Sequence, residues 1–511
     1  MRKNTMLQGM KMFHTWGGLC LGWVLFIVFF TGTIAVFEPE ISAWMRPEVR
    51  VQQRAATAVS VAAAEKALRQ LASDADVWFI TLPQGRISNV EVSWKKGKQD
   101  FHQFIDPSTG AVIKARDTEG GEFFALFHYE LSRGHTGTWL VSIAGLAMLA
   151  AVISGIVIRR SVIKDFFFLR WRRSWLSVHT MTGILTLPFV VMITYSGLVM
   201  TFMDIMPVSM HTFYQGQNKF WVDLLQVVER PKSREKVQTY PLADLVPAAE
   251  REIGDGNIWC IQVPNPDSRN TVINFMRRVD DRLLAIADRV TFDGVSGEWL
   301  VSQTKWGTQA TLVRSLVGLH IVKFGGYPMA WLYFILGMIS SIMIGTGLVF
   351  FTIKRRARYA KEWGTDRDLF RVAESINIGV IAGLITASLG FLWVNRLLPV
   401  ALKGRAEAEI GAFFFFWLCL FIHAFLQPKE KAWPQQLYLA AGLALGLPLL
   451  NALMTSVGLS KTIVNGDWVT AGVDITVLIF GLMLWAAARS LKKRWTILQL
   501  EDSPKYKTGF R

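Results

Sequence analysis

Eight runs of apolar residues, each long enough to cross the hydrocarbon core of a bilayer as a helix, constrain this chain more than any other feature. They lie near residues 15–37, 138–158, 179–203, 328–353, 373–394, 409–427, 436–457 and 470–488. Backbone polar groups have no water to bond within a bilayer, so segments of this length cross as helices. The expected fold is an all-α polytopic membrane protein of eight transmembrane helices, with a core four-helix bundle and two extracytoplasmic α+β domains. The mean hydropathy of +0.31 over 511 residues is too high for an ordinary soluble protein, and the chain is too long for one small domain.

Lysine and arginine set the expected orientation. With the N-terminus in the cytoplasm, the segments between spans on that side and the two termini hold 25 basic residues, against four in the two short loops opposite (Arg396, Lys403, Arg405 and Lys461). The net charge of +16 therefore reads as membrane orientation, and no nucleic-acid motif competes with that reading. The first apolar run ends in FEPEISAW with no small-residue cleavage site, so it reads as a retained span.

The expected organisation is a cytoplasmic N-terminus and first span (1–37), then an extracytoplasmic domain (38–137). The second span, a basic cytoplasmic loop and the third span (138–203) precede a second extracytoplasmic domain (204–327). The fourth span and another basic loop (328–372), an appended four-span bundle (373–488) and a basic cytoplasmic tail (489–511) complete the chain. Cys20 and Cys419 fall in spans and Cys260 is alone in the second outer stretch, so no outer domain can close an internal disulfide. No C-x-x-C-H is present, which argues against covalently attached haem, and no G-x-G-x-x-G or Walker motif suggests a nucleotide or flavin site.

Self-comparison shows a repeat. A shift of 165 residues superposes His14 on His179, Thr15 on Thr180, Gly18 on Gly183 and Gly32 on Gly197 without a gap. A shift of 192 superposes His128 on His320, Gly134 on Gly326, Gly145 on Gly337 and Gly155 on Gly347. The outer stretches repeat as well: FIDPSTGAVI and VTFDGVSGEWL each place a D-x-x-[ST]-G turn between two strands, after a helical run.

Histidine is costly in a membrane, and these four mark the span ends, one pair at each face. A b-type haem in a helical bundle needs neutral imidazoles from two helices and room for a flat ring between them. Glycine one turn after His14 and His179 supplies such room at Gly18 and Gly183. Gly32 and Gly197 come eighteen residues after the histidines, five turns or about 27 Å further on, and return to the same face near the opposite surface. Paired glycines also allow plain helix packing. Two histidines per face, with no matching cysteine or carboxylate, make an incomplete set for zinc or non-haem iron. His135 falls opposite Tyr327 in the repeat and is the alternative to His128. His102 and His423 read as structural, and His211 as an exposed candidate contact just outside the third span.

The stretches FHTWGGLCLGWVLFIVFFTGTI, FHYELSRGHTGTWLV, VHTMTGILTLPFVVMITYSGLVM and LHIVKFGGYPMAWLYFILG, with the two D-x-x-[ST]-G turns, resemble the PepSY-associated transmembrane helix family of bacterial inner-membrane proteins over roughly residues 8–355. The resemblance implies periplasmic PepSY domains and, in better understood members, dihaem ferrisiderophore reductases. It implies two non-covalent haem b groups, His14 with His179 at the inner face and His128 with His320 at the outer face. The electron donor would be an unidentified cytoplasmic or quinol donor, and the substrate a ferric siderophore or other ferric chelate, reduced to release iron. The sequence fits two other classes. One is a PepSY-displaying regulatory or peptidase-inhibiting protein without redox activity, and the other a transporter subunit.

Overall fold

The first apolar run is not one straight helix. Helix α1 (Arg2–Cys20) and helix α2 (Gly22–Ala35) meet at Leu21 with a bend of 61°. Gly17, Gly18 and Gly22 crowd this point, and closely spaced glycines are where helices kink. An added Cβ at Gly22 would stand 2.8 Å from Cδ2 of Leu348, so that side chain would have to shift. The fourteen residues of α2 rise about 21 Å, short of the ~30 Å hydrocarbon core. The expected single span over 15–37 is thereby corrected to a bent pair.

The computed structural model describes residues 2–49, 55–159, 161–167, 174–206, 208, 212–213, 217–225, 227–228, 230–231, 233–359 and 365–501. The His211 candidate lies outside the described residues. After α2 the principal helices are α3 (Glu38–Met45), α4 (Thr57–Leu71), α5 (Glu122–Glu130), α6 (His135–Ile158), α7 (Trp175–Met200), α8 (Val246–Ile253), α9 (Thr308–Ile321), α10 (Gly326–Tyr359), α11 (Thr365–Ile378), α12 (Leu384–Leu397), α13 (Arg405–Leu426), α14 (Lys429–Met454) and α15 (Trp468–Glu501). Among the described residues seven helical stretches are long and apolar enough to cross a membrane, or eight if the bent pair counts as one span.

The chain divides into two units. The first takes residues 1–47, 116–194 and 334–511, the second 48–115 and 195–333. Residues 38–47 with α3, and 116–137 with α5, belong to the unit of the spans.

In the second unit, the two expected α+β repeats do not form separate domains. Strands β1 (Val77–Thr81), β2 (Val90–Lys96), β3 (Gln99–Ile105) and β4 (Val112–Ile113) join β5 (Ile258–Pro264), β6 (Val272–Arg277), β7 (Arg289–Asp293) and β8 (Trp299–Gln303) in one antiparallel sheet of order β4-β3-β2-β1-β5-β6-β7-β8. The seam is β1 against β5, with Val77 opposite Pro264 and Thr81 opposite Cys260. Each half would otherwise expose its innermost strand, and edge pairing removes both unpaired edges at once.

Alternation along the strands buries Trp78, Ile80, Val90, Val92, Ile261, Val263, Ile273 and Phe275 on one face, where α4 and α8 bring Val61, Leu68, Val246 and Ala249. The halves are also tied by charge: Arg69 of α4 donates to Asp267 at 3.0 Å and to Glu65 at 2.7 Å, and Glu65 accepts from the Leu242 amide at 2.9 Å.

Both D-x-x-[ST]-G turns form with the same geometry. Asp106 accepts from the amides of Ser108 and Thr109, and Asp293 from those of Val295 and Ser296. The closing Gly110 and Gly297 each take a φ of +74°, a conformation only glycine adopts without strain.

In the first unit, the stretch from Leu369 to Leu397 is the most enclosed span, with 83% of its apolar window buried against its neighbours. A five-residue π-helical turn, Gly379–Gly383, interrupts it between α11 and α12. Helices α14 and α15 pack through small residues: a Cβ on Gly481 would lie 3.0 Å from that of Ala444.

A polar network lies within this apolar surround. Glu409 and Arg405 form an ion pair one turn apart on α13, both fully buried. Glu409 also accepts from Asn395 at 2.8 Å and from Thr118. Arg405 donates to the Asp117 carbonyl at 2.9 Å and to that of Asn395, which also accepts from Arg116 at 3.0 Å. Arg396 donates to Asn451 at 2.9 Å and to the Trp44 carbonyl, and its guanidinium lies 3.7 Å over the Trp44 ring. Trp44 donates to Asp474 at 2.8 Å, and Asn451 to the same carboxylate at 3.2 Å. The network ties the appended spans to α3 and to the segment that leads into α5.

Glu409→Ala leaves the Arg405 charge buried and unpaired, and should destabilise the detergent-solubilised protein by about 3–5 kcal/mol in thermal unfolding. Lys95→Ala, which breaks an exposed pair with Asp100, should cost under about 1 kcal/mol. In the sheet unit, burial pushes the Asp293 carboxyl up, but the Ser296 amide, Arg230 and the Val295 amide outweigh it and bring the pKa down to about 2. An unfolded aspartate titrates near 3.9, so this group adds stability above about pH 4 that is lost as pH falls toward 2. The difference in unfolding midpoint between wild type and Asp293→Asn should be largest at neutral pH and vanish at the acid end.

Candidate functional site

All four repeat histidines are half-buried, and each imidazole lies over a glycine of another helix. His14 of α1 sits against Gly155 of α6, where an added Cβ would be 3.4 Å from the ring. His179 of α7 sits against Gly347 of α10, at 3.0 Å. His128 of α5 sits against Gly32 of α2, at 2.6 Å, and His320 of α9 against Gly197 of α7, at 2.8 Å. Glycine leaves the ring space to lie on the helix backbone.

Three of the rings make the same bond. Nδ1 of His14 donates to the Ala151 carbonyl at 3.0 Å, Nδ1 of His179 to that of Met343 at 2.8 Å, and Nδ1 of His128 to that of Val28 at 2.7 Å. In each case the acceptor is the carbonyl four residues before the seating glycine. A carbonyl only accepts, so the proton is on Nδ1, and in a neutral ring Nε2 then carries the lone pair. Nδ1 of His320 lies 3.1 Å from the Ser196 hydroxyl.

Every seating glycine follows a hydroxyl residue: Thr31, Ser154, Ser196 and Thr346. The Thr31 and Thr346 hydroxyls bond back to their own helix, at 2.7 Å to Ile27 and 2.7 Å to Ile342, while Ser154 also reaches Nδ1 of His14 at 3.1 Å. Sequence reasoning noticed the repeat of Gly155 and Gly347 without giving it a role. The matched hydroxyl-glycine pairs, Thr31 with Ser196 and Ser154 with Thr346 in the two shifts, were the signal that could have found the seats.

Within the first unit, His14 and His179 come together with ring centroids 6.2 Å apart and planes at 69°. Were a metal centre bound here, His14 and His179 would be the residues to hold it, each through Nε2. Gly18, one turn past His14, has open space where a Cβ would be, and Gly183 only an ordinary contact with Met343 at 3.5 Å. Those two glycines leave room beside the rings. The space over Gly32 and Gly197 is taken by His128 and His320.

Beside the His14–His179 pair, Trp16 packs edge-on against Phe351 at 5.4 Å, and Arg355 covers Phe351 at 3.8 Å. His135 is exposed at the start of α6, and its Nε2 accepts from the Trp139 indole at 3.1 Å. His102 lies exposed on β3, and His423 is bonded at both ring nitrogens, to Gln435 and Gln436. Among the described residues no group of three or more His, Cys, Asp or Glu side chains converges on a metal-sized site. Cys260 is buried on β5 and burial raises its thiol to about 12, so it supplies no thiolate.

The seats make a graded prediction. Gly155→Ala should be neutral or mildly stabilising, because its Cβ fits and alanine favours helix by about 1 kcal/mol. Gly32→Ala should displace His128, break its bond to Val28 and cost about 1–2 kcal/mol net. Thermal midpoints in detergent, with chemical modification of His128 by diethyl pyrocarbonate read by mass spectrometry, check both. Equal behaviour of the two variants would contradict the seat geometry.

The model of one protein family, the PepSY-associated TM region, matches residues 12–355, which contain both pairs of histidines and every seating glycine. No curated protein matches the chain. The match covers well over half of the sequence, and the chain belongs to the PepSY-associated transmembrane family.

Proposed function

We propose that this protein is an inner-membrane b-type cytochrome with two haem groups, passing electrons from a cytoplasmic or quinol donor to a periplasmic ferric siderophore. The observation that carries the reading is the His14–His179 pair, with centroids 6.2 Å apart and each Nδ1 bonded to a helix carbonyl. Haem, when bound, supplies a one-electron couple whose potential is set by its axial ligands and surroundings.

The chain's own residues prepare for it. Ala151 and Met343 hold the protons on Nδ1 and so direct Nε2 of His14 and His179 to ligation, as second-shell carbonyls do at metal-bound histidines. Gly155 and Gly347 fix the ring planes, and Gly18 leaves space beside them. His128 and His320 take the second site by their match in the repeat. For His128 the seat on Gly32 and the bond to Val28 support it over His135, whose Nε2 is already accepting from Trp139.

The distribution of basic residues supports cytoplasmic termini, which puts His14 and His179 at the inner face and the sheet in the periplasm. The reaction at the outer side is a one-electron transfer: ferric iron in the chelate becomes ferrous, no bond of the chelator breaks, and the more weakly held ferrous ion leaves.

Purified protein should show a b-type reduced-minus-oxidised spectrum. His14→Ala and His179→Ala should each remove the same one of two haems. Ferric siderophore should reoxidise the dithionite-reduced wild type at least tenfold faster than either variant. If neither substitution alters the spectrum or the iron-reducing activity, the redox reading fails and the PepSY display reading returns.

A further inference from the structure

The appended spans have no counterpart in the repeat, yet they make a specific contact with the helix that bears His128. Helix α5 turns Phe123, Phe124 and Phe127 inward, all buried. The Phe123 ring lies 4.6 Å from Phe391 of α12 and 4.8 Å from Phe413 of α13, while Phe127 lies 5.6 Å from Phe414 and 5.9 Å from Trp417. The segment leading into α5 is held by the same spans: Arg116 donates to the Asn395 carbonyl, and Thr118 to the buried Glu409. The appended spans thus touch the helix through its aromatic face and at its entry, while its backbone lies closest to α2 and α6.

The repeat offers an internal comparison. At the positions of α9 that match Phe123, Phe124 and Phe127, the chain carries Ser315, Leu316 and Leu319. The aromatic triplet is therefore particular to the copy that meets the appended spans. His128 projects one residue past Phe127, and its ring must reach across to the Val28 carbonyl at 2.7 Å over a glycine with no slack. A short nine-residue helix has little stability of its own, so its placement comes from what it packs against.

We infer that the appended spans are a positioning element for His128: Phe391, Phe413, Phe414 and Trp417 fix α5 so that its imidazole stays seated on Gly32. The consequence for function rests on the reading of His128 as a haem ligand. Phe391, Phe413 and their neighbours are positioning residues, since they touch α5 and not the cofactor. The appended bundle thereby makes the two halves of the repeat unequal, and gives one haem a ligand whose rigidity is set outside the family's matched region.

The test uses the full chain in detergent, with Phe391→Leu and Phe413→Leu made together. Leu437→Ala, in the part of the appended bundle packed among Ala440, Ala441 and Ala444, is the control for general loosening. Hydrogen–deuterium exchange of peptides covering 122–131 should rise at least tenfold in the double variant and stay at the wild-type rate in Leu437→Ala. Peptides covering 308–321 should not change in either. Haem content should fall from two per chain toward one in the double variant, with the His14–His179 haem retained.

Unchanged exchange over 122–131 overturns the clamp. Faster exchange with both haems intact, and their midpoint potentials unmoved, overturns the positioning of His128. A wild-type protein without haem overturns the cytochrome reading alone, because the exchange measurement reads the clamp without any cofactor.

Discussion

The structure depends on an imidazole lying flat on a helix backbone and giving its Nδ1 proton to a carbonyl there. A carbonyl inside a helix is already the acceptor for the residue four later, and a flat ring reaches it as a second donor more readily where that later residue has no side chain in the way. Glycine at that later position meets the condition, as Gly155, Gly347 and Gly32 do for Ala151, Met343 and Val28. The bond orients the ring and selects its tautomer in one step. It also offsets the cost of taking a polar ring into an apolar place.

Much of this was open to sequence reasoning, for definite physical reasons. Spans announce themselves because the bilayer demands about twenty apolar residues in a row, and Trp175–Met200 and Gly326–Tyr359 appear close to where hydropathy puts them. The D-x-x-[ST]-G turns were legible because an aspartate accepting from the next amides, closed by glycine at positive φ, is a local device that no tertiary contact overrides.

Other features depend on partners far away in the chain. Nothing local in β1 says that it pairs with β5 rather than ending a small sheet, since Val77–Thr81 alternates in the same way in either case. The glycines at 32 and 197 looked like open faces because spacing along one helix does not show what the next helix brings. The bend at Leu21 was hidden within an unbroken apolar run, since hydropathy registers composition and not direction. The role of Asp474 and Asn451 was equally closed, because their partners Trp44 and Arg396 are remote in sequence. A buried ion pair adds little net stability, but removing one partner leaves the other charged and unpaired. Here these buried groups set how the appended spans dock onto α3 and the approach to α5.

The proposed cytochrome function requires haem, so it is tested first by the haem content of the purified wild-type chain, from the pyridine haemochrome assay set against protein concentration by amino-acid analysis. The account predicts two haem b per chain in protein from haem-replete cells. A colourless protein, with no haem retained after purification or reconstitution, would contradict it.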